Sequence, residues 1–500
     1  MHELLTPENM GRADALAIAN GPFDGPGLME NAGRAVHAAI LKRFPGLERV
    51  AVLCGPGNNG GDGYVVARLL AGDGVVVNLF ALAAPRPDSD AGWAAARWTG
   101  AVRPLAEFDP AEAGLVVDAL FGAGLSKPLA GMAADAAEAC TGAGVPVVSV
   151  DLPSGLSGDS GEPHGACFRA ALTVTFFRKK PGHVLLPGRD FCGELVLADI
   201  GIPEAVLRDI AVRAHENVPA LWRHAMPRLA CDTHKYARGA AAVLSGGPSS
   251  TGAARLAAMA AARSGAGAVT VLSPPSAVLV HAAHLTSVMV RPVRDQDEIS
   301  AFLAEGKTRA ALAGPGCGAG ERTRKAVLAM LDAGRRENGR GLTSVVLDAD
   351  ALTAFADRPA DLWGAIGGSG LSVVLTPHEG EFARIFSDLV SGSSLARVER
   401  ACAAAARAGA VVVLKGGDTV VAAPDGRVAI NTNAPPTLAT AGSGDVLAGI
   451  VTSLMAQGVP AFEAACAAVW LHGETGQAAG PRPIAEDLVA ALARIGFPDA

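Results

Sequence analysis

The sequence predicts two consecutive α/β domains, each a parallel sheet covered by helices. Three observations carry that expectation. The chain has 500 residues, more than one hydrophobic core normally serves. Short β-branched runs alternate throughout with alanine-rich stretches of helical spacing. Polar, glycine-rich loops follow several of the strand-like runs, where open α/β sheets bind ligands. Half the residues are hydrophobic and 18% are charged, as suits well-buried domains. The net charge of -7 and the lack of a basic run point away from nucleic acid and toward a small-molecule ligand.

Taken in order, the first series of strands is VAVLC (50–54), VVVNLF (75–80), LVVDAL (115–120), VPVVSVDL (145–152), LTVTFF (172–177) and ELVLADI (194–200). The rhythm lapses between Gly201 and Arg238 and places a domain boundary near residues 212–230. A second series follows: AAAVLSGG (240–247), AVTVLSP, SVVLDAD, SVVLTP and VVVLKGGDTVVAAPDGRVAIN. The Pro-Asp-Gly at 424–426 turns the last of these into a hairpin. The eight cysteines are widely spaced with no CxxC pair, which predicts reduced thiols and neither a zinc site nor a disulfide framework. The start of the chain lacks a basic segment followed by an apolar one, and no apolar run reaches membrane-spanning length. A cytoplasmic protein without membrane partners is expected. Its large alanine-rich faces leave room for a homo-oligomer.

Residues 55–63 read GPGNNGGDG, between a strand and a segment of helical spacing (Val65, Val66, Leu69, Leu70). Glycines let backbone amides approach a phosphate, and the helix N-terminus adds partial positive charge. The loop also keeps Asn58, Asn59 and Asp62. Two further strands end in acids, Asp118 and Asp151, the latter followed by Ser154. Parallel strands ending on one edge gather Asn59, Asp118, Asp151 and Ser154 around one crevice, where their oxygens suit a hard monovalent cation or a hydroxyl-bearing substrate. The alternative role for each acid, taken alone, is to cap a turn or helix.

These motifs, with TPENMGRADALAIANG and LMENAGRAV, resemble the NAD(P)H-hydrate epimerase domain over residues 1–212, a Rossmann-like fold. The resemblance implies that Asn58, Asn59, Gly60, Gly61 and Asp62 hold substrate, and that Asn59, Asp118 and Ser154 bind K+. It also implies substrate contacts from Asp151 and from Gly122, Ala123, Gly124, Leu125, Ser126, Lys127 and Pro128. Some members carry a lysine or arginine where this chain has Ser126. Asp151 is the expected general acid and base.

LATAGSGDVLAGIVTSLMAQG (438–458) turns from a small-residue loop into a helix with Leu447, Ile450, Val451 and Leu454 on one face. Gly442, Ser443 and Gly444 present free amides at the helix start, with Asp445 beside them. An aspartate in a first turn is ordinarily a favourable charge against the helix dipole; after a glycine-lined anion hole it reads as a base facing a phosphoryl group. This loop resembles that of the ribokinase-like superfamily. With THKYARGAAAVLSGG, AGPGCG, LDADAL, LTPHEGEFARI and LKGGDTVV, the second domain, 225–500, resembles the ADP-dependent NAD(P)H-hydrate dehydratases. Typical members read HKG where this chain has HKYARG. Ala253, Gly316 or Gly318, His378 and Asp445 are then expected to face the hydrated dinucleotide. Lys415, Gly416, Gly417, Asp418, Thr419 and Gly444 are expected to hold the ADP, with Mg2+ accompanying it. A histidine after a strand is more often structural, and Lys415 has an alternative as a solvated strand-end charge. The two resemblances imply a bifunctional repair enzyme for hydrated NADH and NADPH: epimerisation at C6, then dehydration of the S hydrate. Against them stands a ribokinase-like kinase of a vitamin precursor, with a non-catalytic dinucleotide-binding first domain.

Overall fold

The computed structural model describes residues 2–125, 127–228, 234–335 and 341–496. It divides into two compact units, Met1–His215 and Glu216–Ala500. Ser126 and Cys231 lie outside the described residues.

The first unit holds a seven-stranded sheet. Its strands are β1 (Arg49–Cys54), β2 (Val76–Ala81), β3 (Val102–Pro104), β4 (Leu115–Ala119), β5 (Val147–Val150), β6 (Leu172–Phe176) and β7 (Glu194–Ala198), paired in the order β3-β2-β1-β4-β5-β6-β7. All the pairings are parallel. The order reverses between β1 and β4, the switch point at which such sheets leave a crevice beyond their carboxyl ends. Leu115, Val117, Val148, Val150 and Val174 belong to the core that the helix Gly25–Arg43 also enters through Leu28, Val36 and Ile40. The runs are apolar because both faces of the sheet are covered.

In the second unit β8 (Ala240–Leu244), β9 (Ala268–Ser273), β10 (Met289–Pro292), β11 (Ala310–Ala313), β12 (Ser344–Leu347), β13 (Ser372–Leu375) and β14 (Val411–Leu414) pair in parallel. β15 (Val420–Ala422) and β16 (Val428–Ile430) continue it as the antiparallel hairpin that Pro424–Gly426 predicts. Against this sheet pack the helices Thr251–Arg263 and Ser443–Ala456. They approach closely because small residues meet: a Cβ on Gly449 would lie 2.2 Å from the Ala257 carbonyl oxygen.

The strands β3, β10 and β11 have no counterpart in the sequence reading. β11 is Ala-Ala-Leu-Ala, buried at every position. It lacks the β-branched signature because alanine is what fits beneath the closely packed helices.

At the switch point the first unit interlocks two backbones. A Cβ on Gly55 would lie 1.8 Å from the Leu120 carbonyl oxygen, and one on Gly60 would lie 1.9 Å from that of Gly55. Neither neighbour is a side chain that can swing away. Gly55→Ala should therefore cost ~1–3 kcal/mol, the range of overpacking in a rigid site. It should appear as a lower urea midpoint for the first unit with an unchanged slope; a wild-type midpoint would show that the loop has slack.

Candidate active sites

In the first unit the helix Asn58–Gly72 starts between the interlocked glycines, three residues after Gly55 and with Gly60 in its first turn. Asn58, Asn59 and Asp62 line a cleft of about 650 Å³ beyond the ends of β1 and β4. Gly60 and Gly61 are buried beneath it, a Cβ on Gly61 falling 2.6 Å from the Met29 sulfur. The Gly122, Ala123, Gly124 and Leu125 backbone forms another wall, with Lys127 at its end. Pro128 lies outside the lining.

Asp151 follows β5 with a φ of +64°, a left-handed conformation costly for a residue bearing a Cβ. The surroundings fix it there. Its carboxylate Oδ1 accepts from Lys180 Nζ at 2.5 Å and from Thr175 Oγ1 at 2.9 Å. Its Oδ2 accepts from the Ala123 amide at 3.3 Å. Lys180 Nζ also donates to Thr175 Oγ1 at 3.0 Å, and the lysine is 1% exposed. His183 Nδ1 accepts from the Lys180 amide at 2.9 Å, which leaves Nε2 to donate to the Asp151 carbonyl at 2.8 Å.

Burial works to raise the Asp151 carboxyl, but the Lys180 ammonium and the hydrogen bonds outweigh it and hold the group below the usual carboxylate range. Asp14, on the helix Pro7–Asn20, lines the same cleft. Burial, with Asp151 adding repulsion, pushes it up to about 6 despite Lys180. Asp62 is pushed well above its ordinary value by burial and by Asp151 and Asp14. Lys180 and Asp14 were not singled out by the sequence reading. The available signal was RKKPGH directly after β6 for the lysine, and for the aspartate one acid in helical register with Met10 and Ile18.

Asp118 is fully buried and saturated with donors. Oδ1 accepts from Ser154 Oγ at 2.6 Å and the Leu120 amide at 3.3 Å; Oδ2 accepts from Ser149 Oγ at 3.0 Å and the Ser154 amide at 2.8 Å. Burial nevertheless pushes it up to about 6. Ser154 Oγ also lies 2.9 Å from the Phe121 carbonyl oxygen. Asn59 Oδ1 would lie 3.1 Å from a Cβ on neighbouring Gly122, and Asn59 Nδ2 is buried without a partner.

In the second unit Gly442 has a φ of +87° and opens the helix Ser443–Ala456 with no side-chain cap. The Ser443 amide turns back to the Thr440 carbonyl at 3.3 Å, and those of Gly444 and Asp445 are left for a ligand. Ser443 Oγ lies 3.0 Å from Nε2 of the buried His472. Burial and the Asp348 charge push Asp445 up to about 7, with Lys415 opposing and Asp350 and Glu381 adding to the rise. Lys415 Nζ donates to Asp348 Oδ1 at 2.7 Å and lies 3.8 Å from Glu381 Oε2. Lys415 is thus a paired, largely buried cation.

A cavity of about 440 Å³ brings together Lys415, Gly416, Gly417, Thr419, Gly444 and His378. Asp418 is 5% exposed and turns to Arg397, its Oδ1 3.4 Å from the guanidinium Nε. His378 caps the helix Glu379–Ile385: Nδ1 accepts from the Gly380 amide at 2.9 Å, and its own amide donates to Glu381 at 2.9 Å. Its Nε2 edge is 3.3 Å from Glu381 Oε1. Gly316 is wedged against Ser250 and Ala253, whereas Gly318 has open space where a Cβ would be.

The family model for NAD(P)H-hydrate dehydratase matches residues 241–495, and the model for the YjeF-related protein N-terminus matches residues 26–182. A Moorella thermoacetica protein named bifunctional NAD(P)H-hydrate repair enzyme Nnr is 37% identical to this chain, covering 95% of it and 92% of the relative. A protein of the same name from Salinibacter ruber is 36% identical, covering 98% and 96%. The crystal structure of a Bacillus subtilis ADP/ATP-dependent NAD(P)H-hydrate dehydratase, co-crystallized with ATP/Mg2+, is 28% identical at a TM-score of 0.48, covering 56% of this chain and 96% of that one.

Removing Lys180 strands a buried carboxylate. Lys180→Met should destabilise the first unit by about 3–5 kcal/mol, the cost of breaking a buried ion pair from one side. Thermal unfolding measures it, and a loss under ~1 kcal/mol would mean that water reaches Asp151 freely.

Proposed function

The chain belongs to the bifunctional NAD(P)H-hydrate repair enzymes, and from that premise we propose how its residues divide the two reactions. Hydrated NADH and NADPH carry a hydroxyl on C6, beside the ring nitrogen. The first unit interconverts the two C6 epimers, and the second removes the hydroxyl from the S epimer with ADP. The observation that carries the assignment of residues is the meeting of Asp151, Lys180 and the Asn58–Asp62 loop in one cleft.

In the first unit the Gly122–Leu125 amides and the Asn58–Asp62 segment hold the dinucleotide, with Lys127 at the rim. Asp151 faces C6. Protonation of the hydroxyl lets the nitrogen lone pair expel water, and the planar iminium that remains is open to water from either face. Asp151 exchanges the proton at that centre, while its ionised form offsets the iminium charge.

The oxygens of Asn59, Asp118, Ser154 and Phe121 fit potassium, with one formal charge among otherwise neutral oxygens. Bound there, the ion would supply a fixed positive field beside the substrate pocket. Asp118 and Ser154 would hold it, with Asn59.

In the second unit Asp445 takes the proton from the C6 hydroxyl. The terminal phosphoryl of ADP moves to that oxygen, the nitrogen lone pair then breaks the C6–O bond with phosphate as leaving group, and loss of a proton from C5 of the resulting iminium restores NAD(P)H. Lys415, Gly416, Gly417, Thr419 and Gly444 hold the nucleotide, and Ala253, Gly316 or Gly318, and His378 face the dinucleotide. Asp348 is the carboxylate placed to lend oxygen to Mg2+, which would spread the phosphoryl charge. The donor set fits an ion that arrives with nucleotide phosphates, since no cluster of three or more metal-ligating side chains stands among the described residues.

Two outcomes follow. Asp445→Asn should abolish ADP-dependent return of absorbance at 340 nm while epimer exchange continues, a loss of at least about 10²-fold for a removed base. In the wild type kcat/KM for this reaction should rise with pH through about 7, because the base works only after Asp445 loses its proton; a flat profile from pH 6 to 8 would exclude Asp445 as that base. In the other unit, Asp118→Ala should lower epimer exchange and erase its preference for potassium over sodium and choline. Equal indifference of wild type and variant to the cation would remove potassium from the reading.

A further inference from the structure

Epimerisation moves a hydroxyl from one face of the ring to the other, so proton transfer is needed on both faces. Asp151 supplies one group, and its Lys180 and Thr175 partners hold it in place. A second carboxyl enters the same cleft from a different element. Met10, Asp14 and Ile18 stand at i, i+4 and i+8 of the helix Pro7–Asn20 and all line the cleft. Asp14 is thus a lone acid on an otherwise apolar stripe. It makes no hydrogen bond or ion pair with any described residue, caps no helix, and is only partly exposed. Nothing in the fold needs a carboxyl there.

Resting on the epimerase reading above, we propose that Asp14 and Asp151 are the two proton-transfer groups of the epimerisation, one for each face of the hydrated nicotinamide. On the Asp14 face, the Asp14 carboxyl gives its proton to the C6 hydroxyl. The C6–O bond breaks, its electron pair leaving with the oxygen as water, and the nitrogen lone pair closes the C=N bond. On the Asp151 face a water oxygen then bonds C6, the C=N pair returns to nitrogen, and Asp151 takes the proton that this water sheds. The reverse reaction exchanges the two roles. No oxidation or reduction occurs, and one proton has passed from Asp14 to Asp151. Lys180, which hydrogen-bonds Asp151 and whose charge also acts on Asp14, is the group that returns it through the cleft water.

Asp62 is the rival for the second role. It is 9% exposed and held protonated by burial and two carboxylate neighbours, which suits a hydrogen-bond donor rather than a group that must give and retake a proton in each cycle. Asp14 is in touch with solvent, and the charged or titratable groups acting on it are Lys180, Asp151 and Asp62.

The test is face-specific exchange in ¹⁸O-labelled water with the full-length protein and separated epimers. Wild type should label both epimers and interconvert them. Asp14→Asn should lose interconversion by about 10²-fold or more yet still label the epimer whose hydroxyl faces Asp151. Asp151→Asn should label only the other. Asp14→Glu should restore labelling of both. The Asp14-dependent labelling should fall as pH rises above about 6, where its carboxyl is ionised. The proposal is overturned if Asp14→Asn interconverts the epimers at close to the wild-type rate, or if it loses labelling of both and Asp14→Glu does no better, which would make Asp14 a packing residue. A wild type that neither labels nor interconverts would instead overturn the epimerase reading itself.

Discussion

Each unit places a largely buried lysine ammonium against an aspartate at the end of a parallel strand, and the chemistry of both sites follows from that ion pair. Lys180 meets Asp151 after β5, and Lys415 meets Asp348 after β12. Such pairs contribute little net stability, because desolvation consumes most of the Coulombic gain. For Asp151 the value lies in being fixed as charged at a chosen point. In the first unit this also offsets a backbone conformation at Asp151 that its own side chain disfavours.

A fixed charge determines what its neighbours can be. Asp14 and Asp62 share the cleft with an ionised Asp151 and are driven toward their neutral forms. Asp348, Asp350 and Glu381 surround Asp445 and raise it to about 7, and Lys415 limits the rise. One carboxyl held low beside another held high is the arrangement that lets a single site run acid and base chemistry near neutrality. In the first unit the lysine that fixes the low member arrives just after β6, the strand beside β5.

The parts of this arrangement that are local in sequence were legible there. GPGNNGGDG, DALFGAGL and GSGD each join a strand to a loop or helix start, and glycine is demanded by backbone contacts such as that of Gly55 with Leu120. β11 was not legible, since Ala-Ala-Leu-Ala reads as helix until the closely packed layer above it is known. Lys180 and Asp14 were not legible for a different reason. Lys180 is 29 residues from Asp151, and Asp14 lies still farther away on a helix whose pattern marks it only as one polar position among several. His378 shows the reverse case: its loop was read as polar and functional, and the fold gives it a capping role as well.

Joining the two activities in one chain answers an asymmetry in the chemistry. Hydration of the nicotinamide ring generates both epimers, whereas the second unit acts on the S form. Without exchange the R form would be cleared only as fast as it isomerises unaided. Epimerisation by itself reaches only an equilibrium between the two hydrates, because it forms and breaks the same C6–O bond. Dehydration coupled to ADP is different, since a phosphoryl group is transferred and released, and its free energy makes that step effectively one-way. The first unit therefore needs no driving force of its own, only a low barrier between the two faces of the ring. In the mechanism proposed above, that requirement is met by paired carboxyl groups and a planar iminium, with no covalent intermediate on the protein.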